Sequence, residues 1–318
     1  MALTNLQVFN DQVRTSFVEE LDQRIDLFNA ATRGGLTLTS GSNPGDFSKQ
    51  SFFNRVSGLV ARRDPTDYTT AVSSLEIVEA LQTAVKVGAY AKPVNISPGL
   101  WRWIGTDPIA AGIRVGQQAS EDALADMVNT SIAAFVAAHV QEGANVYDYS
   151  DTGTLTHAAV VSGSAKMGDG FEKIVCTVTH SKSYFDLIGA NIANSASLFT
   201  YGSVMVKSDA LGRPIVITDS ASLVDTVQNP DEYYTLGLVA GGIVVQRNDD
   251  FDQTIVEGTN KPNITRTIQS QWSWNLGLKG FSYNSTRGPT TAALGTGTNW
   301  TKIATSNKDL GGVVVISQ

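Results

Sequence analysis

The segment from Ser120 to Gln141 constrains the fold more than any other. Leu124, Met127, Val128, Ile132, Phe135, Val136 and Val140 recur there every three or four positions, the spacing that gathers apolar side chains on one stripe of an α-helix. Ser120 reads as its N-cap, Glu121 and Asp122 oppose the positive end of the helix dipole, and Gly143 can close the last turn. At about 1.5 Å per residue such a helix is roughly 33 Å long, enough to span a whole domain. Everything else in the chain has to be laid out against that spine.

Upstream, Leu6, Phe9, Val13, Phe17, Leu21, Ile25 and Phe28 form a second stripe, with Asp, Glu, Arg and Gln on the other face and Gly34-Gly35 at its end. Two placements satisfy such a helix: docked on its own domain, or laid as an arm on a second copy. From Leu36 to Tyr68 the texture changes to Thr, Ser, Gly, Asn and Pro, broken by an apolar and basic piece from Phe52 to Arg63. Gly45, Gly58 and the Asp64-Pro65 step punctuate it as turns do. The alternation of Phe53, Arg55, Ser57 and Leu59 predicts a two-stranded hairpin projecting from the body. Arg62 and Arg63 fall at its tip, where guanidiniums suit ion pairs with a neighbour's carboxylates. Ser73 and Glu76 have capping-box spacing, which predicts a helix through Leu75, Val78, Leu81 and Val85.

Beyond Gly153 the pattern is mixed, so the chain reads as α+β. Strands are predicted at Lys173 to His180, Pro214 to Thr218, Tyr234 to Gln246 and Val313 to Ile316, with a helix opened by Ser181 through Tyr184, Phe185, Ile188 and Ile192. Trp272, Trp274, Leu276 and Leu278 alternate strictly, and the register shift at Gly280 to Phe281 and Tyr283 reads as a β-bulge.

Catalytic chemistry is sparse. The one cysteine, Cys176, and His180 share a strand face about 13 Å apart, too far for a nucleophile and its base. With only His139, His157 and His180 besides, no metal-ligand spacing appears. His139 reads as a helix-terminal or interfacial residue. Gly295 and Gly297 begin a dinucleotide fingerprint, but Trp300 stands at its third glycine position. Asp249 and Asp250 read as a solvated turn. A net charge of -7 argues against a dedicated nucleic-acid binder. Asp11, Arg14, Glu19, Glu20 and Asp22 interrupt any signal peptide, and the apolar run Leu236 to Val245 is too short to span a bilayer. Triplets such as those at Asn129 and Asn263 then carry no glycosylation meaning.

The order of parts resembles the major capsid proteins of tailed bacteriophages, the Hong Kong 97-type fold also used by encapsulin shells. The resemblance spans essentially the whole chain and rests on Trp103-Ile104-Gly105-Thr106-Asp107-Pro108 ahead of the long helix, Thr179 to Phe185, Gly212 to Asp219, and the paired-Trp strand. It implies an N-terminal arm (1–35), an extended β-hairpin loop (36–70), a peripheral domain (71–150 and 235–318) with its spine helix at 120–141, and an axial domain (151–234). It further implies a non-enzymatic subunit, without cofactor, metal or catalytic residues, that self-assembles as pentamers and hexamers into the icosahedral shell around a double-stranded DNA genome. Phe17, Leu21, Phe28, Arg62 and Arg63 are the expected interface residues. Because the chain begins directly with the arm, a separate scaffolding protein is expected, with a portal and a decoration protein as further partners. Packaged DNA is expected to be touched only non-specifically and no membrane is involved; the virion capsid is the destination and the host bacterial cytoplasm the place of assembly. An encapsulin-type nanocompartment shell is the alternative. An α/β hydrolase-like enzyme is a distant one, lacking a nucleophile with a partner.

Overall fold

The computed structural model describes residues 3–318 apart from 54, 55, 57, 78, 97, 98, 100, 101, 103, 105, 144, 191–196, 202, 203, 209–211 and 259–264. Arg55, Ser57, Val78, Ile192, Trp103, Gly105 and Asn263, used above, lie outside the described residues, as do the side chains of Leu6, Phe52 and Phe53.

Two long helices organise the chain. Helix α1 (Leu3–Thr32) carries the predicted stripe from Phe9 to Phe28 and ends where Arg33 and Gly34 turn left-handed at φ 51° and 72°. Gly35 is needed for a second reason: a Cβ there would come within 2.3 Å of Cys176 Sγ. Helix α2 (Pro108–Glu142) is the expected spine, but it begins three turns before Ser120. Its N-cap is Asp107, whose carboxylate accepts from the Ala110 N–H at 3.0 Å, and Pro108 occupies the first turn, where its missing N–H costs nothing. Gly143, left-handed at φ 58°, closes the helix as expected. Ser120 is therefore mid-helix and fully buried, its hydroxyl bonded back to the Gln117 carbonyl at 2.7 Å. The reason is packing: Gly112, Gly116 and Ser120 form a ridge of small residues one turn apart. At Gly112 an added Cβ would meet Gln12 Cβ at 2.9 Å, and at Gly116 it would meet the Val13 carbonyl at 2.8 Å. The two helices approach backbone to backbone along that ridge.

Against this pair lie two sheets. The first runs β1 (Leu36–Gly41), β11 (Ile243–Asn248), β13 (Thr265–Leu278), β3 (Glu79–Ile96), β2 (Phe47–Phe53), with β12 (Asp252–Gly258) also on β13. The second runs β4 (Val146–Asp148), β16 (Gly312–Ser317), β10 (Glu232–Val239), β5 (Ile174–Thr179), β8 (Pro214–Thr218), β7 (Val204–Ser208), β6 (Ser197–Tyr201), with β9 (Val224–Asp225) on β10. Helices α3 (His157–Ala165) and α4 (Ser181–Ala190) belong to the second sheet's half of the molecule, and β14 (Phe281–Tyr283) with β15 (Trp300–Lys302) forms a small third sheet beside the short α5 (Thr291–Leu294). One core joins the parts: Phe17, Leu21 and Phe28 from α1, Phe135 from α2, Trp274 and Leu276 from the first sheet, and Leu236 and Val314 from the second.

Several local expectations are corrected. The segment Tyr234 to Gln246 is two strands in different sheets, parted by a turn with Gly241 at φ 66°. Consequently the expected domain cut at residue 234 runs through β10. Gly280, at φ 83°, makes a turn from the first sheet into the third and not a bulge within one strand. Ser73 to Val85 is not a helix: Glu79–Ile96 is a strand, because Thr83, Val85 and Val87 alternate and are β-branched. The extended hairpin is correspondingly made by β2 and β3, paired from Phe47↔Val85 to Phe53↔Glu79, while Leu36 and Leu38 of β1 are buried in the body.

Candidate assembly surfaces

Phe17, Leu21 and Phe28 are 1%, 0% and 1% exposed. Phe17 stacks on Phe251 at 4.3 Å between ring centroids and meets Trp272 at 5.6 Å. Placed so, these side chains have no surface left for a second copy, which corrects their assignment to a subunit interface. The stripe answers the chain's own core. Six such side chains contribute on the order of 10 kcal/mol of gross burial, an upper bound before ordering entropy is subtracted. Polar contacts fix the helix further: Arg24 bridges Glu20 at 2.6 Å and Glu121 of α2 at 2.8 Å, and Arg247 reaches Asp22 at 2.8 Å.

The excursion is the opposite case. Between β2 and β3 the described residues 56–77 hold no helix or strand, and Val60, Tyr68 and Val72 are 93%, 89% and 90% exposed. Arg62 and Arg63 are also exposed, and none of the ion pairs formed by the described residues includes them. Local turns give the segment shape. Asp64 accepts from the Thr66 N–H at 2.8 Å and from its hydroxyl at 2.7 Å, and Asp67 accepts from the Thr69 and Thr70 N–H groups at 2.9 and 3.0 Å. Hydrogen bonding to the charged form holds the Asp64 carboxyl below its usual range and brings Asp67 down to about 2, with the Thr70 hydroxyl the leading donor. The root of the excursion is anchored by a polar network that sequence reasoning missed. Asn248 Oδ1 accepts from the Asn43 N–H at 3.2 Å and from Asn275 Nδ2 at 2.9 Å, while Asn248 Nδ2 donates to Ser273 Oγ at 2.8 Å. Asp250 accepts from the Ser273 N–H at 2.8 Å and from its hydroxyl, and pairs with Lys86 at 3.5 Å. It is thus a bracket holding the loop's base to β13. The alternation of polar residues on β13 with its tryptophans was the only signal for it.

The residues that carry chemistry elsewhere are built into the fold. Cys176 is wholly buried on β5, and burial pushes its thiol up to about 12, far from a nucleophile's range. His180 stands just past the end of that strand, 3.7 Å from Asp219 and over the Tyr233 ring, with nothing connecting it to Cys176. His139 is no surface residue: it is fully buried between Phe135 and Phe281, with Nδ1 3.0 Å from the Phe135 carbonyl. Among the described residues no group of His, Cys, Asp and Glu could hold a metal ion. Helix α2 is long and apolar enough by composition to cross a membrane, yet 67% of its most apolar window is buried inside the chain, as befits a core helix.

A family model described as "Major capsid protein 13-like" matches residues 5–314. Among curated proteins no sequence matches. Among solved structures, the chain is similar to the cyanophage Pam1 capsid asymmetric unit, with a TM-score of 0.55 at 10% identity over 89% of this chain and 88% of that one. Structures from Mycobacterium phage Cain (0.53, 9% identity, 88% of each chain) and Mycobacterium phage Adephagia (0.51, 9% identity, 88% and 87%) match likewise. At such identities the likeness shows the fold, which is of the Hong Kong 97 type.

Proposed function

This chain belongs to the Gp13-like family of major capsid proteins, and on that premise we propose that its copies close into an icosahedral shell of pentamers and hexamers around a double-stranded DNA genome. One observation supports the reading from the chain itself. The body completes its core alone, down to the α1 stripe, while the excursion at residues 56–77 leaves Val60, Tyr68 and Val72 exposed, with two guanidiniums that join no ion pair among the described residues. A segment that costs apolar exposure and gives the monomer nothing is explained by contact with another subunit. Arg62 and Arg63 are the residues we assign to that contact, and repeated weak contacts of this kind give a closed shell its stability. The acidic subunit, at net charge -7, would hold packaged DNA loosely. A separate scaffolding protein, a portal and a decoration protein are the partners we assign, with assembly in the host bacterial cytoplasm and the virion capsid as destination.

The test is size-exclusion chromatography with light scattering and negative-stain microscopy of the protein, expressed alone and with the head genes of its phage. Five- and six-membered rings or closed particles are expected. A compact monomer at every concentration in both settings defeats the proposal.

A further inference from the structure

At one end of the second sheet His180 joins β5 to α4. Its carbonyl accepts from the Tyr184 N–H at 3.0 Å, which makes it the N-cap of the helix. Its ring takes the part that a Ser, Thr, Asn or Asp oxygen usually plays there, with Nδ1 accepting from the Lys182 N–H at 3.2 Å. A ring nitrogen that accepts carries no proton, so in this state the imidazole is neutral and its proton is on Nε2. Nε2 lies 3.7 Å from Oδ1 of Asp219, the residue that follows β8.

Such a cap is conditional in a way that an oxygen cap is not. An imidazolium donates from both nitrogens and keeps no lone pair for the Lys182 N–H. Its charge also falls at the positive end of the α4 dipole. The Lys182 ammonium is close by, since it and the His180 ring both lie against the Tyr233 ring, 4.7 and 5.2 Å from its centroid. The groups facing the imidazole are then Asp219 beyond β8, the Tyr233 phenol of β10, and Lys182 of α4, which is held by Asp186 at 3.1 Å. Ser317, opposite Tyr233 on β16, brings no side-chain charge. For a charged ring, the helix end and Lys182 push away from the cap while Asp219 draws it off, so all three act in one direction.

We propose that His180 is a pH-operated cap: neutral, it holds the first turn of α4, and protonated, it releases the Lys182 N–H and turns to Asp219. The consequence reaches past the turn. Helix α4 rests on β8 through Tyr184, packed with Ile215 and Ile217, and through Ile188 beside them. A loosened first turn therefore slackens the edge of that cluster while the surface gains a positive charge, and a contact made through this end of the sheet responds to acid. The device belongs to the folded subunit and works the same whether or not copies assemble.

Amide exchange of the full-length protein, read by mass spectrometry on peptides covering residues 181–190, tests it at about pH 8 and pH 5.5, the range in which imidazole changes charge. Rates are corrected for intrinsic chemical exchange, and light scattering confirms the same oligomeric state at both pH values. Peptides of α2 serve as the reference for global opening, which separates the cap from acid loss at His139. Relative to α2, the wild-type α4 peptides should lose protection by about fivefold or more at the lower pH. His180→Asn keeps an N-cap acceptor that does not titrate and should show equal protection at both pH values; His180→Ser takes its place if the Asn variant does not fold. Asp219→Asn removes the carboxylate that draws the charged ring and should move the midpoint of the change to lower pH. Equal protection of wild-type α4 at the two pH values, or an acid loss in His180→Asn as large as in the wild type, overturns the proposal. An unmoved midpoint in Asp219→Asn overturns Asp219 as the ring's second partner.

Discussion

Setting an imidazole between Phe135 and Phe281 makes it a poor base. Burial disfavours the charged ring and lowers the His139 pKa from 6.5 to about 4. A base whose folded pKa is depressed leaves stability intact above the unfolded value and removes it as pH falls, because the unfolded chain binds the proton first. The window is therefore about pH 6.5 down to pH 4, and the loss amounts to roughly 3 kcal/mol. Urea denaturation at pH 7 and pH 4 should show this loss in the wild type, and His139→Leu should reduce the difference by about that amount; an equal pH dependence in both proteins refutes the assignment. The sequence placed His139 near the end of a helix; its position four residues after Phe135 and three after Val136 fits the apolar stripe, but a polar ring there did not by itself mark it as buried. Cys176 was legible as a strand residue because it sits inside an apolar run. Arg247 and Asp250 were not: their partners, Asp22 and Ser273, are set by tertiary structure alone.

At the scale of elements, an apolar stripe announces that side chains want cover but not which molecule supplies it. That is why α1 was legible as a helix and its destination was not. The opening turns of α2 were invisible for the complementary reason, since Gly112, Gly116 and Ser120 are small where they meet α1 and give no hydrophobic pattern. Only Asp107-Pro108 marked the start. β3 was missed because Leu81 and Val85 also fit a helical spacing, and the choice between periods is made by the partners β2 and β13 supply. Two variants follow from the packing. Gly116→Leu drives a side chain into the Val13 carbonyl and Phe17 N–H of α1 and should destabilise the protein by about 3 kcal/mol. Deleting residues 1–32 strips six buried side chains from the core and should leave the remainder unfolded or insoluble. Circular dichroism melts read both, and a soluble, cooperatively melting deletion product would show that α1 is dispensable to the body.

For the whole molecule, the order of arm, excursion, spine and sheets was readable, and the α+β fold with it; the division into halves was less so. Strand length and alternation do not reveal that the chain leaves one sheet for the other at Gly241, so a single apolar run concealed the junction between them. Since one core includes residues of both sheets and both long helices, the halves should unfold together. Trp272, Trp274 and Trp300 report from the first and third sheets, while far-ultraviolet dichroism reports from the entire chain. Their denaturation curves should coincide, and two separated midpoints would show that the halves are independent. The place of β16 carries a different consequence. It lies between β4 and β10 in the second sheet, both made much earlier in the chain, and its residues from Gly312 to Ser317 are buried. Until β16 is in place, the edge strand β4 has nothing to join it to β10 and the rest of the sheet. A chain cut short before Gly312 would leave that seam between β4 and β10 open, so the fold itself distinguishes such fragments from chains that can close the sheet.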